Sequence, residues 1–327
     1  MSQKRLQKGV LSDDRSVSPV VATILMVAVV IVIAASIGAV TFGITDELGG
    51  TSVAASDDQC LQSVDFDPND VDSFADGATA NLDCQLWFDA TQESFSDNEE
   101  VDRWTDRSGN GLDATSSNEP FISNPEFQTD VDGVDAVRFD STGDDDGLTT
   151  EGTASVVGID GDQPFTASKV VRPDTDGDGA VLQFGTTGGD FNAFSTQPDM
   201  ASDQWLFQAI GADFSQVRYD GAGDDEQWFV KTYVYDGDDL EIYKNGESID
   251  DDILGKEGSE EINFNISDTP INIGHFNFEP GNDEDAGFDG AIAEIIFMDE
   301  AFGETDRNVL ECTLDEKHGS AVSVVGC

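Results

Sequence analysis

Residues 240–249 read LEIYKNGESI. Asn245-Gly246 stands between two short strand-like halves. Asn-Gly is the dipeptide best suited to a two-residue hairpin turn, because both positions accept a positive φ. The decapeptide therefore predicts two paired antiparallel strands.

The same pattern extends to either side. CQLWFDA (84–90), DAVRFD (135–140), FTASKVV (165–171), AVLQFG (180–185), WFVKTYVYD (228–236), PINIGHF (270–276) and AIAEIIFM (291–298) are short runs rich in β-branched and aromatic side chains. Gly, Asp, Asn and Pro separate them. Such spacing predicts an all-β, antiparallel jelly-roll sandwich. One helix is expected in this region, over GETDRNVLECTLDEKHG (303–319), with Thr305 as its cap and Gly319 as its stop. No internal repeat of fixed period is present.

The N-terminus is of another character. Val17 to Phe42 holds no charged residue, and its 26 residues exceed the ~20 that span a bilayer as a helix. Lys4, Arg5, Lys8 and Arg15 precede it, while Asp46 and Glu47 follow, so the positive-inside tendency leaves the bulk of the chain outside the cell. A secretory signal would have an apolar run of about 7–15 residues ending at a small-residue site. Here the run continues past Ala34-Ala35-Ser36 through IGAVTFG. The expected organisation is a basic leader (1–16), a membrane helix (17–43), an acidic stalk (44–83), the sandwich domain (84–319) and a C-terminal tail (320–327).

Charge limits the functions open to the chain. Asp and Glu number 68 against 15 Lys and Arg, a formal net charge of −53. Nucleic-acid binding requires a basic surface and is excluded on that ground. Such self-repulsion disfavours a compact state in dilute buffer, whereas at molar salt the Debye length falls to about 3 Å. A salt-adapted organism is the expected source. Disorder also produces acidic chains, but 21 Phe and 4 Trp distributed among strand-like runs favour a folded domain.

Four cysteines, Cys60, Cys84, Cys312 and Cys327, include no CxxC pair, and only two histidines accompany them. A zinc site is not indicated. Outside the cell the even count favours two disulfides, with three pairings open; four buried thiols are the alternative.

The order Asp14-Arg15-Ser16, then Val17-Ser18-Pro19-Val20, then a long aliphatic run resembles the N-terminal segment of archaeal type IV pilins. The resemblance implies that a prepilin peptidase cuts near Ser16–Val17, so that Arg15, Ser16 and Val17 are the processing residues. Ser16 departs from the Ala or Gly usual before the cut. The freed apolar helix would stay in the membrane or pack with other pilin subunits through the pilus assembly machinery. A plain signal-anchor is the alternative.

Over residues 84–319 the chain resembles LamG-like, concanavalin A-like jelly-roll domains. The matching pieces are LWFDA (86–90), the W-x-D-x-S-G-N-G run from Trp104 to Gly111, VRFD (137–140), YKNGE (243–247), GFDGAIAEIIFMDEAF (287–302) and CTLDEKHG (312–319). The resemblance is weak over 186–228. It implies a surface protein whose jelly roll binds an extracellular glycan or protein ligand in adhesion. A passive pilus subunit or tip cap, and a surface-anchored glycan hydrolase, are the alternatives.

Several residues are candidates for chemistry. Asp106 and Asn110 lie in a turn-forming run and serve either the turn or a ligand. Asp174, Asp176 and Asp178 before Gly179 resemble the start of a calcium loop, although position twelve is Gly185 rather than Glu, and an acidic solvent loop is the competing reading. Calcium is thus the one cofactor the chain suggests. Glu241, Glu294 and Glu300 lack the spacing that sets glycosidase carboxylates on one strand face, and neither His275 nor His318 has a nucleophile context. No enzyme is expected. Asn265-Ile266-Ser267 is a glycosylation sequon.

Overall fold

The computed structural model describes residues 84–116, 122–141, 145–158, 163–174, 180–186, 192–199, 204–210, 214–221, 224–249, 253–257, 269–275 and 287–327. They form two large antiparallel sheets, with a single α-helix among the described residues. The first sheet runs, edge to edge, Glu247–Ser248, Leu240–Lys244, Phe229–Tyr235, Phe165–Pro173, Gly290–Met298, Val134–Phe139, Glu126–Val131 and Glu99–Glu100. Leu86–Asp89 also pairs with Gly290–Met298, continuing the edge that Val134–Phe139 begins. The second sheet runs Ile253–Glu257, Phe214–Asp220, Gln204–Ile210, Asn192–Asp199, Leu182–Thr186, Pro270–Ile273, Leu148–Thr153, Ala114–Ser116 and Arg103–Trp104.

Strand periodicity builds the core. Phe165, Ala167 and Val171, Phe229, Tyr233 and Tyr235, and Ile292, Ile295 and Phe297 join Leu182, Phe184, Trp205 and Phe207 of the second sheet in one buried cluster. Phe297 packs on Phe165 at 5.6 Å and on Phe184 at 5.3 Å, ring centre to ring centre. Alternate residues of the first sheet, Val170, Val230, Ala291, Ala293, Ile296 and Met298, form a second cluster with Leu310, Leu314, Val322 and Val324. The central strands are consequently buried on both faces and carry apolar residues on each, interrupted by Lys231 and Thr232 in one and by Glu294 in the other.

The Asn245-Gly246 turn has φ of +49° and +84°, and Lys244 pairs with Glu247 across it. Asn245 also holds other parts of the fold. Its side-chain oxygen accepts from Val230 N at 2.9 Å and its carbonyl accepts from Val325 N at 2.8 Å. The last residues thereby run back over the domain, where Val322 and Val324 are buried and Cys312 is bridged to Cys327.

The helix covers Glu304–His318. Its cap is Gly303 rather than Thr305, because Arg307 N already bonds to the Gly303 carbonyl at 3.0 Å and the first turn begins two residues earlier than expected. Arg307, Leu310, Glu311, Leu314 and His318 form the buried stripe, at helical spacing. Gly319 ends it at a φ of +65°. Among the described residues no helix is long and apolar enough to cross a membrane; the 17–43 segment lies outside them.

Candidate functional site

The outer face of the first sheet is divided. One part lies under the helix and the C-terminal residues, and the other presents polar side chains around Arg138.

The covered part holds a buried charge cluster. Ile292 faces the other sheet, and in a regular strand Glu294, two residues on, would do the same. The register against Phe165–Pro173 shifts here, Val170 pairing with Glu294 but Val171 with Ile292, and this bulge turns Glu294 outward. Glu294 is fully buried; it accepts from Trp87 Nε1 and Lys317 Nζ at 2.7 Å each, and His318 Nε2 lies at 2.7 Å. Burial pushes its carboxyl pKa up, but the His318 hydrogen bond and the Lys317 charge outweigh that and hold it below its ordinary value. Every oxygen is engaged inside the protein, so this cluster anchors the helix and is not open to substrate.

The open part is a groove of about 600 Å³ lined by Ser123, Asn124, Glu126, Gln128, Arg138, Asp140 and Asp146. A second hollow of about 510 Å³ shares Gln128 and Arg138 and adds, among others, Asp97, Asp132, Arg172 and Asp174. Arg138 is the post between them. Its guanidinium contacts Asp174 and also donates to Asp289 Oδ1 at 2.9 Å. Arg172 reaches Asp132 at 3.1 Å and Asp174 at 2.5 Å. Both guanidinium groups are committed to carboxylates, and the rim remains acidic. Ser123, Asn124 and Gln128 add neutral donors and acceptors. Such a surface offers dense hydrogen bonding and disfavours an anion.

Among the described residues, the candidates named from the sequence do not converge. Asp106 accepts from Trp87 N at 3.2 Å and Ser108 N at 3.0 Å through one oxygen, and from Leu112 N at 2.9 Å through the other. Asn110 donates to the Gln85 carbonyl at 2.9 Å. These are turn bonds, made while Trp104 is buried against Phe88 at 5.3 Å. Asp174 lines the second hollow and is held by the two arginines; Asp176 and Asp178 lie outside the described residues, as do Asn265, Cys60 and the processing residues Arg15, Ser16 and Val17. Cys84 is disulfide-bonded, with its partner outside the described residues. Among the described residues no group of three His, Cys, Asp or Glu side chains is placed to hold a metal ion. The groove around Gln128 and Arg138 was not anticipated, because Arg138 and Asp289 are 151 residues apart.

Two family descriptions match the chain. Residues 15–55 match the N-terminal segment of archaeal type IV pilins, and residues 113–306 match the concanavalin A-like lectin/glucanases superfamily. No curated protein matches. Among solved structures, the binding domain of botulinum neurotoxin serotype G is similar at 13% identity and a TM-score of 0.51, over 71% of this chain and 51% of that one. The binding domain of botulinum neurotoxin DC in complex with rat synaptotagmin II has 13% identity and a TM-score of 0.47, over 70% and 51%. A Trypanosoma rangeli sialidase in complex with the inhibitor DANA has 16% identity and a TM-score of 0.41, over 71% and 33%. The chain spans about half the length of the binding domains it matches, and at these identities the likeness is one of fold.

Proposed function

The chain belongs to the concanavalin A-like lectin/glucanases superfamily and carries an archaeal type IV pilin N-terminal segment; from that premise we propose that it is a cell-surface, pilin-like protein that presents its sandwich for adhesion. The observation that carries this reading is the joining, in one acidic chain, of a pilin-type segment to a lectin-class domain. Prepilin peptidase removes residues 1–16 near Ser16–Val17, the 17–43 helix stays in the membrane or enters a pilus with other subunits, the 44–83 stalk spaces the domain outward, and residues 84–319 face the medium.

The groove around Gln128 and Arg138 is the proposed contact surface. Arg138 is already neutralised and the lining includes amide, hydroxyl and carboxylate groups, which suit a neutral, hydroxyl-rich glycan better than a sulfated or uronic one. The test is binding of the full chain, folded in molar salt, to glycan and cell-surface panels, with a Gln128→Ala/Asn124→Ala variant alongside. Retention of neutral glycans that the variant loses supports the reading, and no binding on any panel overturns it. Loss of adhesion with filaments intact, on deletion of residues 84–319, separates presentation of a ligand-binding domain from a purely structural role. An intact Met1 on the mature protein would remove the pilin part of the proposal.

A further inference from the structure

Lys169 and Lys231 pair directly opposite each other on adjacent strands and both project into the space between the sheets. Their strand neighbours there are Phe165, Ala167, Val171, Phe229 and Tyr233, all members of the apolar core. Like charges placed directly opposite are unfavourable, and more so when both are removed from water. Lys169 Nζ donates to Thr196 Oγ1 at 2.5 Å. Lys231 Nζ makes no hydrogen bond; it lies 4.2 Å from the ring centres of both Trp205 and Tyr219.

Among the described residues one carboxylate reaches this cluster. Asp224, itself 1% exposed, brings Oδ2 to 3.9 Å from Lys231 Nζ, and that oxygen too lacks a hydrogen bond. The other oxygen, Oδ1, contacts Lys244 Nζ, whose side chain is 32% exposed and leads to the surface. A buried amine and a buried carboxyl oxygen thus face each other without the hydrogen bond that would make them an ordinary ion pair, in a pocket of aromatic rings.

We propose that Lys231 and Asp224 condense into a side-chain amide. The pair contains every atom required. Transfer of one proton from Lys231 Nζ to Asp224 Oδ2 yields a neutral amine and a neutral acid. The nitrogen lone pair then attacks Cγ, and the negative charge developing on Oδ1 is met by the Lys244 ammonium. Oδ2 leaves as water, carrying the acid proton and one proton from the attacking nitrogen. One C–N bond forms, one C–O bond breaks, and no oxidant, reductant or further reactant takes part.

Three features favour the step. Burial drives the Lys231 pKa well below its ordinary value, against the opposing charge of Asp224, so the nucleophilic neutral amine is accessible. Fixed proximity replaces an encounter between two molecules, and exclusion of water favours the condensed product. Loss of the Lys231 charge also relieves Lys169, whose pKa is lowered first by burial and then by Lys231. The product would weld the segment carrying Asp224 to the Phe229–Tyr235 strand.

Trypsin provides the test, since it cuts after Arg218, Lys231 and Lys244 but not after an acylated lysine. The full chain, purified and kept folded in molar salt, is denatured and digested. The expected product is a single Tyr219–Lys244 peptide, uncut at Lys231 and lighter than its sequence by one water. Asp224→Ala is expected to restore full mass and cleavage after Lys231. Because digestion follows denaturation, the result is readable even if that variant folds poorly. Separate Tyr219–Lys231 and Thr232–Lys244 peptides of unmodified mass from the wild type overturn the proposal. So does loss of water with Lys231 still cleaved, which marks a succinimide instead, and so does a cross-link that persists in Asp224→Ala.

Discussion

Asp89 and Glu294 stand directly opposite each other on adjacent antiparallel strands, both fully buried, and Lys317 Nζ binds them at 2.6 and 2.7 Å. A single ammonium at the last turn of the helix thus bridges two carboxylates of the sheet, one of which also meets His318. Its removal leaves like charges facing each other out of water, which costs about 3 kcal/mol or more. Lys317→Met, which keeps the apolar stem, is expected to lower the unfolding free energy by that amount in denaturant titrations at molar salt. A change under about 1 kcal/mol would show that the helix is held by its apolar stripe alone.

The same cluster sets an acid limit. The Glu294 pKa is lowered in the folded state, from an ordinary value of 4.5, chiefly because the His318 hydrogen bond and the Lys317 charge together overcome burial. A depressed carboxyl contributes stability that is fully present above the unfolded value and is lost as pH falls through the lower folded one. Stability is therefore expected to decline as pH drops below about 4.5, and Glu294→Gln should flatten that part of the curve. Thermal unfolding followed at several pH values in constant salt checks this; an unchanged slope in the variant would assign the acid limit to other carboxylates.

Gly274 follows the Pro270–Ile273 strand with a φ of +80°, and a Cβ there would stand 2.0 Å from the Phe139 ring. Left-handed backbone and steric overlap penalise the same substitution. Gly274→Ala is expected to destabilise by at least about 2 kcal/mol, read as a lower denaturation midpoint. Gly303→Ala, where a Cβ meets nothing within 4 Å and φ is negative, should cost less, about 1 kcal/mol from the weaker helix cap.

Strands whose side chains meet two apolar layers were legible because burial on both faces leaves a mostly apolar run, broken only by Lys231 and Thr232 in Phe229–Tyr235 and by Glu294 in Gly290–Met298. The Asn245-Gly246 hairpin was legible for a local reason, its positive φ angles. Asn192–Asp199, Gln204–Ile210 and Phe214–Asp220 did not stand out, since they mix Gln, Ser, Asp and Pro with single aromatics and have little β-branched character. Lys169 and Lys231 were in plain view inside two predicted strands, yet nothing in the sequence says which face a lysine takes until the register is known. The groove is less legible still. Arg138 meets Asp174 and Asp289 only because Val134–Phe139, Phe165–Pro173 and Gly290–Met298 lie side by side in the sheet.

The disulfide between Cys312 on the helix and Cys327 closes a separation of 15 residues, and its Cα atoms are 5.3 Å apart. A loop of that size restricts the unfolded chain by about 3 kcal/mol in the chain-entropy picture. The tail has a further attachment, through Val325 N on Asn245 and Val324 N on Asp315 Oδ1 at 3.0 Å. Cys312→Ser/Cys327→Ser is therefore expected to lower global stability by up to about 3 kcal/mol, while the helix remains formed. Hydrogen exchange should quicken at 322–327 before it quickens in Leu310–Leu314. Equal loss of protection in both would make the bridge a support of the helix itself.

Charge leads to the last prediction. With a net −53 over 327 residues, acidic side chains repel one another across the whole domain, and the few ion pairs present, such as Arg103 with Asp113 and Glu151, are local exceptions. Added salt screens repulsion and attraction alike, but when carboxylates so outnumber cations the repulsive part dominates. The unfolding temperature is expected to rise steeply from dilute buffer to about 0.1 M salt, where the Debye length is already near 10 Å, and to continue rising toward molar salt. Matching the osmolarity with sucrose separates screening from exclusion effects, which also favour compact states. A sucrose curve that follows the salt curve would show that the domain responds to exclusion and not to its charge.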